Sequence, residues 1–531
     1  MRKVRSMAAL LRAMVLALVM TAAAPLAGSS AAVAEEGRVV TYPAPEGAPL
    51  KTDYDVSVQA KGSAVWQRLD TYMAKVNAPL ADAMPMGAAS LRGTGHGVSE
   101  ISYALFDFRG AATVRVVKRG GGFADVRVRP ASLGIKAVQV NDSTVELVLP
   151  RPENVSVEFD GDIRHNLLLF SSEPPLSQKE ARRQAKADGR RFVYVPAGFY
   201  ASAEALGKCS SLLQTSETKV LIPSGTTVYM AGGAYFSGTL AIEDAEHVSI
   251  QGRGIARPVD GYEGCHVHRS RHVSIDGLVV NTCPVGGSRY VTLHDVRSIS
   301  YPGWGDGLNV FASSDVTYDR VFCRNSDDCT TAYATRKGFC GNARNIKMCN
   351  STLWADVAHP IFIGIHGATS GPHPEVRDTV ENLVYENIDI LCQSEPQVDY
   401  QGCLAINAGD DNLVRNVLFD RIRIEALHQG ALLHVKVGFN KKWCATPGLG
   451  VEDITFRQVS YTGPQPYLSV INGYDEQRRV RNVVFEGLTI NGRVITDDMA
   501  DKPRWYQTAD LVPIFIGNHV ENVRFGGRSD E

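Results

Sequence analysis

The chain has 531 residues, a formal net charge of −2 and 44% apolar residues. That length supplies a large core and more than one domain. The near-neutral charge, with no long basic run and no basic patch interleaved with aromatics, gives no field toward nucleic acid or an anionic membrane surface, so neither is expected as a partner.

At the N-terminus Arg2, Lys3, Arg5 and Arg12 precede the apolar stretch "AMVLALVMTAAAPLAG", and a small-residue segment ends Ala32-Val33-Ala34. Charged start, short apolar core and A-x-A cut site describe a secretory signal peptide over residues 1–34. The apolar stretch is short for a membrane span, and no later stretch reads as one. A soluble, exported protein follows as the expectation.

Residues 35–175 read as short strands. "DYDVSVQ", "ATVRVVKR", "ADVRVRP", "TVELVLP" and "NVSVEFD" alternate apolar with polar, the signature of half-buried strands, and "GGGF" and "VNDST" supply turns. A β-sandwich is expected here. Residues 176–191 contain "SQKEARRQAKADGRR", charged and rich in helix formers, and read as a linker with a short helix.

From residue 192 to 531 the rhythm changes to a recurring polar residue or two followed by a β-rich stretch. Examples are "EHVSIQG", "RHVSIDGL", "RNIKMCNS", "RNVLFDRI" and "RNVVFEGL". The first apolar residues of the copies are Val248, Val273, Val291, Val316, Ile346, Leu383, Val417, Ile454, Val483 and Val523, at intervals of roughly 18 to 40 residues. No copy carries a good amphipathic helix, and the units are too short for propeller blades. Short strands with irregular loops, stacked many times, predict a parallel β-helix with Asn and Asp at its corners.

Four segments in this region carry chemistry. "GWGDGLNV" holds Asp306, and "NSDDC" holds Asp327 and Asp328. "ADVAHPIFIGIHG" holds His359 and His366, and "LLHVKVGFNKKW" holds His434, Lys436, Lys441 and Lys442. One coil separates Asp306 from Asp327-Asp328, so stacking would bring three carboxylates onto one surface. Like charges that close cannot all ionise easily. Side chains of neighbouring residues in a regular strand point to opposite faces, so the adjacent pair needs a bend for both acids to face one groove. Asp410 and Asp411 are also adjacent, but no acid lies one short coil upstream, and that pair reads as a structural corner. Trp304 and Trp443 are candidates for stacking on sugar rings or for packing. His366, His373 and Glu375 could gather as a metal cluster, or line a loop beside the groove.

All ten cysteines lie after residue 200. In an exported chain an even count favours disulfides. Local candidates are Cys265 with Cys283, Cys392 with Cys403, and Cys329 with Cys340 or Cys349. No pair has C-x-x-C spacing, so neither a metal site nor a cofactor is expected.

In order, "GDGLN", "NSDDC", a later His before "IFIG" and an H-x-K element resemble the motifs of the polygalacturonase family, over roughly residues 192–531. With an apparent sandwich in front, the layout is also similar to the dextranase and isopullulanase family. The resemblance implies a right-handed parallel β-helix and an inverting glycoside hydrolase acting as a monomer on a polysaccharide. By position it implies Asp327 as general acid, with Asp306 and Asp328 holding and activating the water. His359 would support the acid or the substrate, and His434 and Lys436 would bind sugar. His434 stands where a polygalacturonase has the Arg of R-I-K, "A-H-P" replaces G-H-G, and the stretch from the acid pair to the histidine is longer. Arg with Lys suits a carboxylated sugar, so His434 tilts the reading toward a neutral α-glycan, with polygalacturonan next. Two alternatives fit the same residues: a β-helix polysaccharide lyase using the aspartates as Ca²⁺ ligands, and a non-catalytic glycan-binding module.

Overall fold

Ten of the sequence copies share one strand position, and their register shows why. In the computed structural model, which describes residues 37–78, 97–258, 263–301, 303–375, 377–395, 397–400 and 402–527, Val248, Val273, Val291, Val316, Ile346, Leu383, Val417, Ile454, Val483 and Val523 pair one to the next in a single parallel ladder. Their side chains point into the coil; the first nine are at most 2% exposed. Further in, Tyr385, Phe419, Phe456, Phe485 and Phe525 stack ring on ring, with centroids 4.6 to 5.4 Å apart.

The residue just before each ladder position turns the corner in the left-handed backbone region, from His247 at φ 55° to Asn522 at φ 58°. Asn and Asp tolerate that conformation better than other side chains, which is why they recur there. They also bond up the stack: Asn345 Nδ2 donates to Asp315 at 2.9 Å, Asn382 to Asn345 at 3.1 Å and Asn416 to Asn382 at 2.7 Å. In the earlier coils His247, His272 and Tyr290 occupy the same corner and stack their rings at 4.8 Å instead.

Each coil adds strands to three parallel ladders. One is the ladder above. A second runs through short strands such as Arg297–Ile299 and Phe322–Asn325, joined to the first in one large sheet. The third is a separate sheet running from Lys219–Leu221 through Cys265–His268, Val310–Phe311, Thr330–Tyr333, Ile361–Gly364 and Ala431–Val437. The expected parallel β-helix is thus present.

Strands before residue 173 form two further sheets, mostly antiparallel, and no sheet among the described residues mixes strands from before and after the helix Gln178–Ala187. Both sheets contribute to one apolar core, for example Val56 and Val114 from one, Phe106 and Val157 from the other. That helix begins at a capping box, with Ser177 Oγ accepting from Glu180 N–H and Glu180 accepting from Ser177 N–H. Tyr54–Ala60 alternates in burial as its sequence predicts, whereas Asn154–Phe159 is buried on both faces. Its apolar face joins the two-sheet core; its polar face meets the coil, where Asn154 accepts from Arg297, while Glu158 accepts from Arg129 of the adjacent strand, which in turn donates to the Leu391 carbonyl of the coil.

That contact is partly apolar, with Tyr72, Tyr103 and Phe170 packed against Tyr235, Phe322 and Trp354. It also buries arginines. Arg324 bonds Asp356, Asn166 Oδ1 and the Ile163 carbonyl, and its guanidinium lies 4.0 Å from the Trp354 ring centre. Arg253 holds both oxygens of Asp107 at 2.9 Å.

The expected disulfides are not formed: all ten cysteines are free thiols. Cys265 and Cys283 do meet through their sulfurs, and Cys392 lies near Cys403. Both thiols of the first pair face into the coil and fill its core as small apolar groups. Cys329 is buried while Cys340 is exposed and Cys349 sits beside Asp319, so neither is placed to pair with it. Residues 1–36, which hold the leader reading, lie outside the described residues. Among the described residues no helix is long and apolar enough to cross a membrane.

The corner has a measurable signature at Asn416, which is exposed and left-handed at φ 54°. Asn416→Ala adds backbone strain to a lost side-chain bond and should cost about 1–2 kcal/mol. Asn416→Gly loses the bond but not the conformation, so it should cost less. Denaturant titration of both variants checks this; equal losses would mean the backbone conformation is not what selects Asn.

Candidate active-site groove

The carboxylates sit at one corner of successive coils. Asp306 lies in the loop leading to strand Val310–Phe311. Asp327 and Asp328 lie in a bend between Phe322–Asn325 and Thr330–Tyr333, and His359 lies in the matching bend before Ile361–Gly364. The chain therefore leaves strand geometry at the adjacent acids. Backbone bonds lock the corners together: Gly307 N–H to the Asp328 carbonyl, Leu308 N–H to that of Cys329, and Cys329 N–H to that of His359, each 2.8 Å. Gly307 has no room for a side chain, since a Cβ would lie 2.4 Å from Asn325 Oδ1 and 2.5 Å from the Cys329 carbonyl. Its bareness lets the Asp306 loop lie against the acid bend.

Asp306, Asp327, Asp328 and His359 line one recess. Asp328 is the most heavily held. Its Oδ2 accepts from the Tyr333 hydroxyl at 3.1 Å, and its Oδ1 accepts from His359 N–H at 3.3 Å and faces His359 Nδ1 at 2.7 Å. His359 Nε2 bonds the Tyr400 carbonyl. A carbonyl only accepts, so Nε2 carries a hydrogen, and Nδ1 shares its contact with the carboxylate. Asp327 Oδ1 accepts the Asp328 backbone N–H at 3.0 Å, and Asp306 Oδ2 accepts from Asn309 Nδ2 at 2.6 Å. The Tyr333 hydroxyl is pushed well above its ordinary pKa, first by burial and then by the charges of Asp328, Asp306 and Asp327.

The recess continues both ways along the coil axis. Through Ile365 and Tyr400 it meets a second cavity of about 210 Å³ that contains Lys436. Through Trp304, Phe311 and Lys337 it meets a third of about 310 Å³ bounded by Glu263. Lys436 is half-buried and donates to the Asp399 carbonyl; burial lowers its pKa. His434 shares its strand face but is buried beside Lys436 and His359 and is not among the residues lining the groove. Trp304 and Trp443 meet edge to face at 5.4 Å, with Lys442 Nζ 4.6 Å from the Trp443 ring centre.

His366 lines the recess, its ring edge-on to Tyr333 at 4.9 Å, whereas His373 pairs with Glu375 on the surface at 3.6 Å. The three do not gather as a metal cluster among the described residues. Asp410 and Asp411 stand at a left-handed corner, where Asp410 accepts the Ala445 N–H and Asp411 pairs with Arg377 at 3.0 Å.

Among the residues of the recess that were not singled out from the sequence are Tyr333, Arg336, Lys337 and Tyr400. Tyr333 could have been found, because alternation along "CTTAY" places it on the outer face of the strand that follows the acids. The other three arrive on loops that carry no motif.

No family model matches the chain. Among curated proteins, endopolygalacturonase A of Aspergillus flavus (strain ATCC MYA-384 / AF70) is 27% identical over 273 residues, covering 45% of this chain and 69% of that protein. Among solved structures, Dex49A from Penicillium minioluteum matches at 12% identity with a TM-score of 0.49, covering 91% of this chain and 96% of its own. The endo-xylogalacturonan hydrolase from Aspergillus tubingensis matches at 13% identity with a TM-score of 0.37, covering 64% of this chain and 99% of its own. No residue role is carried over from either structure. The stacked parallel ladders make the chain a parallel β-helix protein, and the polygalacturonase likeness read from its motifs is found again in a curated relative.

Burial pushes His366 and His434 down to about 3, with Arg336 and Lys436 respectively adding to the effect. Both rings are neutral in the folded protein, while the unfolded chain takes up their protons near 6.5. The stability tied to them is therefore present above pH 6.5 and lost as pH falls toward 3. Replacing His366 by Phe should make the acid-side decline shallower by about 1.4 kcal/mol per pH unit. Denaturant unfolding at pH 4 to 7 measures it; an unchanged slope would mean that the ring titrates normally.

Proposed function

We propose that the protein is a secreted glycoside hydrolase that cleaves O-glycosidic bonds of a polysaccharide with inversion, acting as a monomer. The observation that carries this reading is that Asp306, Asp327 and Asp328 line one recess together with Tyr333 and His359. The curated polygalacturonase relative supports the hydrolase class. The leader pattern supports secretion. The sheet arrangement supports keeping residues 35–175 as a β-sandwich domain, 176–191 as a linker and 192–531 as the catalytic domain.

Inverting hydrolysis needs one carboxyl to protonate the leaving oxygen and another to take a proton from water on the opposite face of the sugar. Asp327 gives its proton to the glycosidic oxygen as the bond to the anomeric carbon breaks. Asp306 and Asp328 hold the water whose oxygen bonds to that carbon, and one of them accepts its proton. The Tyr333 hydroxyl and the His359 backbone N–H, both donating to Asp328, suit a charged acceptor. His359 therefore positions Asp328, and Lys436 contacts sugar in the adjoining cavity.

The groove supports a carboxylated glycan of the polygalacturonan kind ahead of a neutral α-glycan. His434 removes one expected cation, but Arg336 and Lys337 bring charge to the acid recess from a different loop, and Lys436 stands next door. Charge-assisted bonds from such groups select carboxylates.

Asp327→Asn should lower turnover by about 10²–10⁴-fold while leaving the melting temperature near that of the parent. Near-normal turnover in that variant would remove Asp327 from its role. Proton NMR of the first product should show the inverted anomer, whereas unsaturated products would favour the lyase. Arg336→Gln should raise KM on polygalacturonate by about tenfold, the worth of one charged hydrogen bond, without changing KM on dextran or pullulan. Activity confined to neutral glycans would overturn the substrate assignment.

A further inference from the structure

We propose that Glu243, His266 and His268 form a binding site for a divalent transition metal of the zinc type, on the groove-bearing sheet upstream of the acids. Strand Cys265–His268 reads "CHVH". Cys265 and Val267 point into the core, so the two histidines share the outer face. The neighbouring strand is in register with Glu243 beside His268. One ligand atom from each of the three lies within 4.8 Å of the others.

The surroundings are those of a prepared ligand set. His266 is fully buried, and its Nδ1 meets the Glu263 carboxylate at 2.7 Å. A carboxylate on the second ring nitrogen fixes tautomer and orientation in ligating histidines. The other nitrogen, Nε2, faces Glu243 Oε1 at 2.7 Å. The His268 ring lies parallel to that of His266 at 4.1 Å and rests on Phe339 at 4.9 Å. Two imidazoles and a carboxylate suit zinc, with a fourth place for water. Lys219 Nζ lies 3.5 Å from Glu243 Oε1, on a side chain 44% exposed, which can swing to solvent as the metal enters.

A second grouping, Asp276, His294 and Asp295, shows the contrast. Arg253 approaches Asp276 at 3.9 Å, and Arg320 and Arg297 approach Asp295 at 3.1 and 3.6 Å, so its carboxylates already face cations. At Glu243 the metal would tie two adjacent coils and fix Glu263. That residue borders the groove cavity containing Asp306 and Lys337. Its role is to brace the groove wall, separate from the reacting atoms.

Titrating zinc chloride into metal-stripped full-length protein by calorimetry tests the site. One equivalent should bind with micromolar or tighter affinity and raise the melting temperature. His268→Ala and the size-conserving Glu243→Gln should each weaken binding at least tenfold, while Asp327→Asn binds as the parent does. Absence of a saturable single equivalent, or unchanged affinity in both site variants, would overturn the proposal. Neither outcome bears on the hydrolase reading, which the product assays test alone.

Discussion

The left-handed corner is the constraint on which the rest depends. A coil of irregular length must return to the same strand position each time, and loop lengths between corners vary widely. What stays constant is one residue at positive φ followed by an inward apolar side chain, repeated from His247-Val248 to Asn522-Val523. The amide ladder through Asn345, Asn382 and Asn416 holds the exposed side of that corner, and the stacked rings hold the buried side. With register set there, loops elsewhere can grow without shifting the coils. Loop growth is thermodynamically cheap, and the groove is built from those loops.

The acid bend inherits its position from this register and from the N-terminal sheets. Arg324 sits in the strand that leads into Asp327-Asp328, and it bonds Asn166, just before the N-terminal strand Leu167–Ser172, and Asp356, in the bend that leads into His359. One buried guanidinium therefore ties together the approach to the acids, the approach to their histidine and the neighbouring sheets. On the other side Asn325 donates to Ser298 and Ser300, whose coil leads to Asp306. Desolvating such a charge is costly, and several charge-assisted bonds offset it. Asn154, Ser156 and Glu158 have the same origin. They are polar because buried arginines at the coil contact face them, not water: Arg297 of the coil bonds Asn154, and Arg129 of the adjacent strand bonds Glu158 and the coil's Leu391 carbonyl.

The ladder was legible in the sequence because repetition exposes it: ten inward residues, one per copy, all pair as read. Asp306, Asp327 and Asp328 were legible for the same reason, since one coil of separation places residues side by side. Arg336, Lys337 and Tyr400 were not, because a loop's landing point depends on packing rather than period. Lys436 could be placed on the outer face by alternation, but not in a cavity closed by the 397–400 loop. The cysteines misled because an exported chain was assumed to oxidise them, while the coil interior simply uses small apolar side chains. In "CHVH" the alternation was visible but its two glutamates were not, one lying a coil away and the other in the preceding loop.

The two adjacent aspartate pairs show how context decides chemistry. Asp410-Asp411 and Asp327-Asp328 are the same dipeptide in the same fold, and both are buried. The first occupies two consecutive left-handed positions and spends its oxygens on a backbone N–H and an arginine, which fastens the 445 loop. The second sits in a bend without positive φ, in one recess with Asp306, where Asp328 accepts from the Tyr333 hydroxyl and the His359 backbone N–H. An arginine neutralises a carboxylate permanently, because it does not give up its proton. Hydrogen bonds from a tyrosine hydroxyl and a histidine hold a carboxylate without pairing it to a fixed cation, so the carboxylate keeps its capacity to take a proton. In the reading proposed above, that company suits Asp328 as the group that takes a proton from water, and of the two pairs it is Asp327-Asp328 that has it.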